Sequence, residues 1–247
     1  MNAMTKTGTL PSVDMRRTIA RIKDPGSAIT HFIGLWFAIL MQPVLLIHAA
    51  AKGSDATAMM TLSAFMTGSI LLYGASTAYH TFRLAPAANR RLKKLDHCMI
   101  PVLIAGTYAP VCLIALRDSG GIPLLIAVAA LSFCSVVFKL FWVSCPRWLS
   151  SVIYLILGWL CLLALPQMLH VLPGGAFALL LSGGLAYSIG AVVYALKLPL
   201  FNARHRYFGS HEIFHVFVMA GNFCHFLMMY CYLSGFPSAC ARFFVHL

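Results

Sequence analysis

Seven long apolar stretches dominate the chain, at about 29–51, 58–82, 95–116, 121–143, 149–170, 173–196 and 211–233. Each can cross a hydrocarbon layer of roughly 30 Å as an α-helix. The runs are continuously apolar rather than alternating, and twice the length that a barrel strand needs. The pattern therefore predicts an all-α, polytopic membrane protein with seven transmembrane helices. Short connections make neighbouring spans antiparallel, and the longer internal loops are basic. The expected organisation is a leader over 1–28, a seven-helix domain over 29–233 and a short tail over 234–247.

Composition agrees with the pattern. Side chains are 60% hydrophobic and 10% charged, with a mean hydropathy of +0.84. Soluble domains carry about 25% charged residues, so a water-facing surface is excluded. The formal net charge of +12 does not indicate nucleic-acid binding. The basic residues cluster between apolar runs, first at Arg16, Arg17, Arg21 and Lys23, then at Arg83, Arg90, Arg91, Lys93 and Lys94. Such clusters suit the anionic inner face of a membrane. With the N-terminus in the cytoplasm, 15 of the 18 Lys and Arg residues fall on inner segments, Lys139, Arg147, Lys197, Arg204 and Arg206 among them. An odd number of spans then leaves the C-terminus outside. The expected location is the bacterial plasma membrane, with lipids as partners. The segment Met15-Arg16-Arg17-Thr18-Ile19-Ala20-Arg21-Ile22-Lys23-Asp24 suits a short amphipathic helix on the membrane surface.

The eight cysteines form no CxxC pair and read as small buried hydrophobes. Cys98 stands out only for its closeness to Asp96. Gly183, Gly184 and Gly190 predict close helix approach in span six. Pro101, Pro110 and Pro166 predict kinks.

Polar residues inside apolar runs are costly and need a reason. Here they share one depth, the inner ends of the spans. Ser76 and His80 close span two, Asp96 and His97 open span three, and His31 opens span one. His211, Glu212 and His215 open span seven. Histidines four apart project from one helical face, so His211 and His215 can offer two nitrogens to one metal. His80 can supply a third from a second helix. Three protein ligands and one open position form the usual catalytic zinc site. Asp96 is then placed to hold a water there or take its proton, and Ser76 to donate a hydrogen bond to that water or to a substrate carbonyl. His31 and His97 read as supporting or interface residues. His225, about 21 Å beyond His211 along an ideal helix, belongs to the outer half.

His211-Glu212-Ile213-Phe214-His215 also satisfies HExxH. In metalloproteases such histidines bind zinc and the glutamate is the base. An intramembrane protease is thus an alternative, although the pattern is short and Glu212 sits at the water boundary.

Several of these segments resemble the hemolysin III family, within the progestin and adipoQ receptors that include the adiponectin receptors. They are Thr30-His31 with Gly34, Ser76-Thr77-Ala78-Tyr79-His80, and Asp96-His97 leading to Ala105-Gly106-Thr107-Tyr108-Ala109-Pro110. To these add Tyr187-Ser188-Ile189-Gly190 with Tyr194, and Phe208-Gly209-Ser210-His211-Glu212-Ile213-Phe214-His215 with Gly221 and His225. The resemblance implies seven helices and an inside N-terminus. It also implies zinc on His80, His211 and His215, with Asp96 and Ser76 as the catalytic residues beside it. It implies hydrolysis of a lipid amide or ester of the ceramidase type, linked to membrane lipid homeostasis. Three alternatives stand beside that function: a zinc-stabilised sensor without turnover, a pore-forming, hemolytic or transport protein, and the HExxH protease.

Overall fold

The computed structural model describes residues 22–196 and 208–236. Every regular element within them is helical. Helix α1 is Pro25–Ala51, α2 is Ala56–Thr81, and α3 is Pro86–Pro110, prolonged by a π-helical turn at Val111–Ala115. Helix α4 is Gly121–Phe141. The next span is composite: α5 at Arg147–Trp159, a 3₁₀ segment at Leu160–Ala164 and α6 at Leu165–Val171. Helix α7 is Gly174–Leu196, and α8 is Ser210–Met228 followed by a π-helical turn at Met229–Leu233. Among the described residues these make seven helices long and apolar enough to cross a membrane, as the hydrophobic pattern predicts.

The distribution of large apolar side chains identifies the surrounding solvent. Leu62, Phe65, Tyr73, Met228 and Met229 fill the core. Ile33, Ile47, Phe133 and Leu163 point outward, Phe133 and Leu163 with 70% and 74% of their surface exposed. Apolar bodies on both faces of a helix are stable only where the medium is itself apolar.

Helices α1, α2 and α3 pack in sequence, α7 packs on α8, and α1 lies against α8, which brings the first and last described helices together. The glycine prediction holds at two of its three positions. A Cβ on Gly183 would stand 3.0 Å from the Gly221 carbonyl oxygen, and one on Gly190 would stand 2.8 Å from Phe217 Cβ. Gly184 packs loosely, 3.8 Å from Trp159. Pro110 precedes the π-helical turn and Pro166 follows the 3₁₀ segment, so both mark departures from α geometry.

Two sequence expectations change. Helix α3 begins at Pro86, not near residue 95, so Arg90, Arg91, Lys93 and Lys94 lie on the helix rather than in a loop. Proline at the first turn and good helix formers after it extend the helix beyond its apolar part. Asp96 consequently sits well inside α3. Lys139, counted as a boundary charge, is 1% exposed. Its ammonium donates to Ser150 Oγ at 2.6 Å and to Cys145 Sγ at 3.0 Å. Of the predicted surface helix, Ile22, Lys23 and Asp24 are described and are not helical; its other residues, and the basic segment with Lys197, Arg204 and Arg206, lie outside the described residues.

Candidate metal centre

Helices α2 and α8 bring His80, His211 and His215 to one place. One ligand atom from each lies within 4.8 Å of the other two. His211 Nε2 and His80 Nε2 are 3.2 Å apart. The i, i+4 spacing turns the rings of His211 and His215 to the same side of α8, with centroids 4.4 Å apart.

Neighbouring groups fix how these rings present their nitrogens. The Asp24 carboxylate stands 3.0 Å from His80 Nδ1. A carboxylate only accepts, so Nδ1 carries the proton and Nε2 keeps its lone pair toward the cluster. Thr30 Oγ1 stands 3.1 Å from His215 Nδ1. The threonine proton is used on the Gly26 and Ser27 carbonyls, each at 3.0 Å. The hydroxyl oxygen must then accept from His215 Nδ1–H, which leaves the second Nε2 free as well. Neutral imidazoles with lone pairs converging in this way could hold a metal ion, and their number leaves a coordination position open.

Asp24 is held by the end of α2. Its backbone N–H donates to the His80 carbonyl at 2.9 Å. Lys23 donates through Nζ to the Tyr79 carbonyl at 2.9 Å and lies 3.3 Å over the Tyr79 ring. The hydrogen bond from His80 holds the Asp24 carboxyl below its usual range, and burial works against it. Asp24→Ala should weaken divalent-metal binding by about 10- to 100-fold, as loss of a histidine-orienting carboxylate generally does. Competition against a chromophoric chelator measures this. An unchanged affinity would show that Asp24 does not set the ring.

Ser76 and Asp96 are both buried, at 1% and 8% exposure. Ser76 Oγ has no partner at hydrogen-bond geometry among the described residues, yet lies close enough to the Asp96 carboxylate to interact with it electrostatically. Both line a cavity of about 330 Å³, together with His31, His97, His211 and His215. The rest of the wall is mainly apolar. His80 stands behind this lining, its ring against His211 and His215. The sequence therefore placed five candidate residues that the fold does gather.

His31 is closer to the cluster than its supporting role suggested. Its ring stacks on His215 with centroids 3.6 Å apart and a 7° tilt. Glu212, in contrast, turns away from the cavity. Its Oε2 accepts from the Gly209 N–H at 2.8 Å and its Oε1 accepts from Ser27 Oγ. Glu212 thus caps α8 and ties it to α1. Sequence reasoning missed Asp24. Its one signal, an acidic residue just before Pro25 and an apolar run, reads equally as a helix cap, and its side chain makes no cap hydrogen bond.

Fold and site together define a multi-pass helical membrane protein with a three-histidine cluster at one end of an internal cavity. The chain belongs to the family described as "Haemolysin-III related", which matches residues 19–226. It is 36% identical to "Hemolysin-3" of Bacillus cereus over 221 residues, 89% of this chain and 94% of that protein. It is also 36% identical to "Hemolysin-3 homolog" of Bacillus subtilis, over 87% of this chain and 98% of that protein. A more distant relative is "Adiponectin receptor protein" of Drosophila melanogaster, 27% identical over 79% of this chain and 46% of that protein. The bacterial relatives and the seven spans place the chain in a bacterial plasma membrane.

Proposed function

We propose that this protein is a zinc-dependent intramembrane hydrolase of a lipid amide or ester, serving membrane lipid homeostasis. The observation that carries the reading is the joint placement of His211, His215, Ser76 and Asp96 in the wall of one largely apolar cavity. A bound zinc ion supplies Lewis acidity and makes water nucleophilic near neutral pH. His80, His211 and His215 would hold it. The Asp96 carboxylate would orient the attacking water, accept its proton and return it to the leaving amine or alkoxide as the scissile C–N or C–O bond breaks. Ser76 Oγ–H donates to the carbonyl oxygen of the scissile bond as charge develops there. The apolar wall takes the lipid chain and keeps bulk water from the reacting groups.

The basic clusters support an N-terminus in the cytoplasm and a C-terminus outside, with the metal site at the cytoplasmic end. That bias stands without Lys139. The leader, which ends before Pro25, and the tail over 234–247 then lie on opposite sides of the membrane.

Other readings also have support. The names of the two bacterial relatives bear more directly on a hemolytic protein than on hydrolysis. The histidine cluster alone serves a metal-tied sensor without turnover equally well. The protease reading has less support, because each Glu212 oxygen already accepts a hydrogen bond.

One reconstitution separates the hydrolase, lytic and sensor readings. Purified protein in liposomes containing ceramide and phospholipid, with zinc or with chelator, is assayed for fatty-acid release and for dye leakage. Hydrolysis predicts zinc-dependent release from intact vesicles. Leakage without release supports the lytic reading, and stoichiometric zinc with neither activity supports the sensor.

A further inference from the structure

The cavity is not apolar along its whole length. Tyr187 of α7 and His225 of α8 also line it. His225 lies ten residues after His215, about 15 Å further along an ideal helix. The imidazole is 5% exposed, and its Nε2 is 3.2 Å from the Leu180 carbonyl oxygen. A carbonyl only accepts, so Nε2 carries the proton and Nδ1 of the neutral ring is a pure acceptor. That Nδ1 and the Tyr187 hydroxyl are both sealed from solvent, and neither has a hydrogen-bond partner among the described residues. Their rings lie 5.5 Å apart between centroids.

The backbone is shaped around this pair. A Cβ on Gly183 would stand 2.3 Å from His225 Nε2, and one on Gly221 would stand 3.0 Å from the Tyr187 ring. Two glycines therefore give the rings their places. Polar atoms buried without partners cost free energy that a matching ligand recovers.

We infer that Tyr187 and His225 form a subsite for a secondary hydroxyl on the alkyl chain of the lipid that fills the cavity. The inference rests on the reading that the cavity takes a lipid chain. A hydroxyl fits both partners: its O–H donates to His225 Nδ1, and its oxygen accepts from the Tyr187 O–H. A ketone at that point accepts from Tyr187 but turns its lone pairs toward Nδ1. A methylene serves neither. The separation along α8 puts the hydroxyl roughly a dozen extended methylenes from the histidine cluster.

Binding of 12-hydroxystearate, 12-oxostearate, 2-hydroxystearate and stearate to the zinc-loaded full chain in nanodiscs tests this without turnover. The 12-hydroxy acid should bind about ten-fold tighter than stearate, the worth of one to two good hydrogen bonds. The 12-oxo and 2-hydroxy acids should resemble stearate. Tyr187→Phe and His225→Phe should each erase the preference and leave stearate affinity and zinc stoichiometry unchanged. Tyr187→Phe removes a single oxygen and so tests the subsite even if His225→Phe misfolds. Equal binding of 12-hydroxystearate and stearate to the wild type would overturn the inference, leaving the pair as a water site only. So would a preference that survives Tyr187→Phe. If no fatty acid binds, the lipid-cavity reading falls with it, whereas equal binding of all four spares that reading.

Discussion

Replacing both His211 and His215 with Ala should reduce zinc affinity by at least about 100-fold, so that purified protein carries almost no metal. Each substitution removes a nitrogen from the cluster. A single remaining imidazole cannot supply the three-ligand set that zinc sites require. His80 would still be oriented by Asp24, so the loss reports the missing ligands rather than a displaced third ring. Elemental analysis after gel filtration in detergent is the direct measurement. His48→Phe is the control, because His48 stacks on Tyr230 at 4.0 Å and takes no part in the cluster. It should keep the metal at wild-type stoichiometry. Full zinc retention in the double variant would overturn the assignment.

The site was legible in the sequence because lipid makes polar residues conspicuous. In an apolar run, His80, Asp96, His211 and His215 each need a partner, and their common depth pointed to one another. The i, i+4 rule then supplied geometry for His211 and His215 without any structure. Asp24 escaped the same logic because it precedes the apolar run, where an acidic residue is cheap and has a local explanation. Its true partner, His80, lies 56 positions away and is reached only by packing. His31 was noticed but underplaced, since stacking on His215 depends on how α1 leans on α8.

The helix boundary at Pro86 and the burial of Lys139 were misread for a related reason. Hydropathy measures what lipid tolerates, whereas helix length follows caps and propensity. The amphipathic ammonium of Lys139 found Ser150 and Cys145 inside the bundle, a choice that no charge count anticipates. The seven spans themselves were safe, because continuous apolar length is a property of each segment alone.

The choice of catalytic base yields the second large effect. Asp96→Asn should lower zinc-dependent fatty-acid release by about 10³-fold, within the range expected for loss of a general base. Asparagine keeps the shape and a hydrogen bond, but cannot take a proton, so zinc content should be unchanged. Glu212→Gln should behave in the opposite way. Its carboxylate accepts from Gly209 N–H and from Ser27 Oγ, and neither contact reaches the cavity. Losing those charge-assisted bonds should cost about 1–2 kcal/mol of stability and leave the specific rate of the folded fraction nearly intact. The paired measurement is fatty-acid release per bound zinc, alongside thermal unfolding in the same detergent. HExxH chemistry predicts the reverse pattern, with release lost in Glu212→Gln and kept in Asp96→Asn. Glu212 stands between two of the histidines in sequence, but of the two carboxylates only Asp96 lines the cavity with His211 and His215. If release nonetheless fails only in Glu212→Gln, the capping role assigned to Glu212 is wrong, and the base lies on α8 rather than α3.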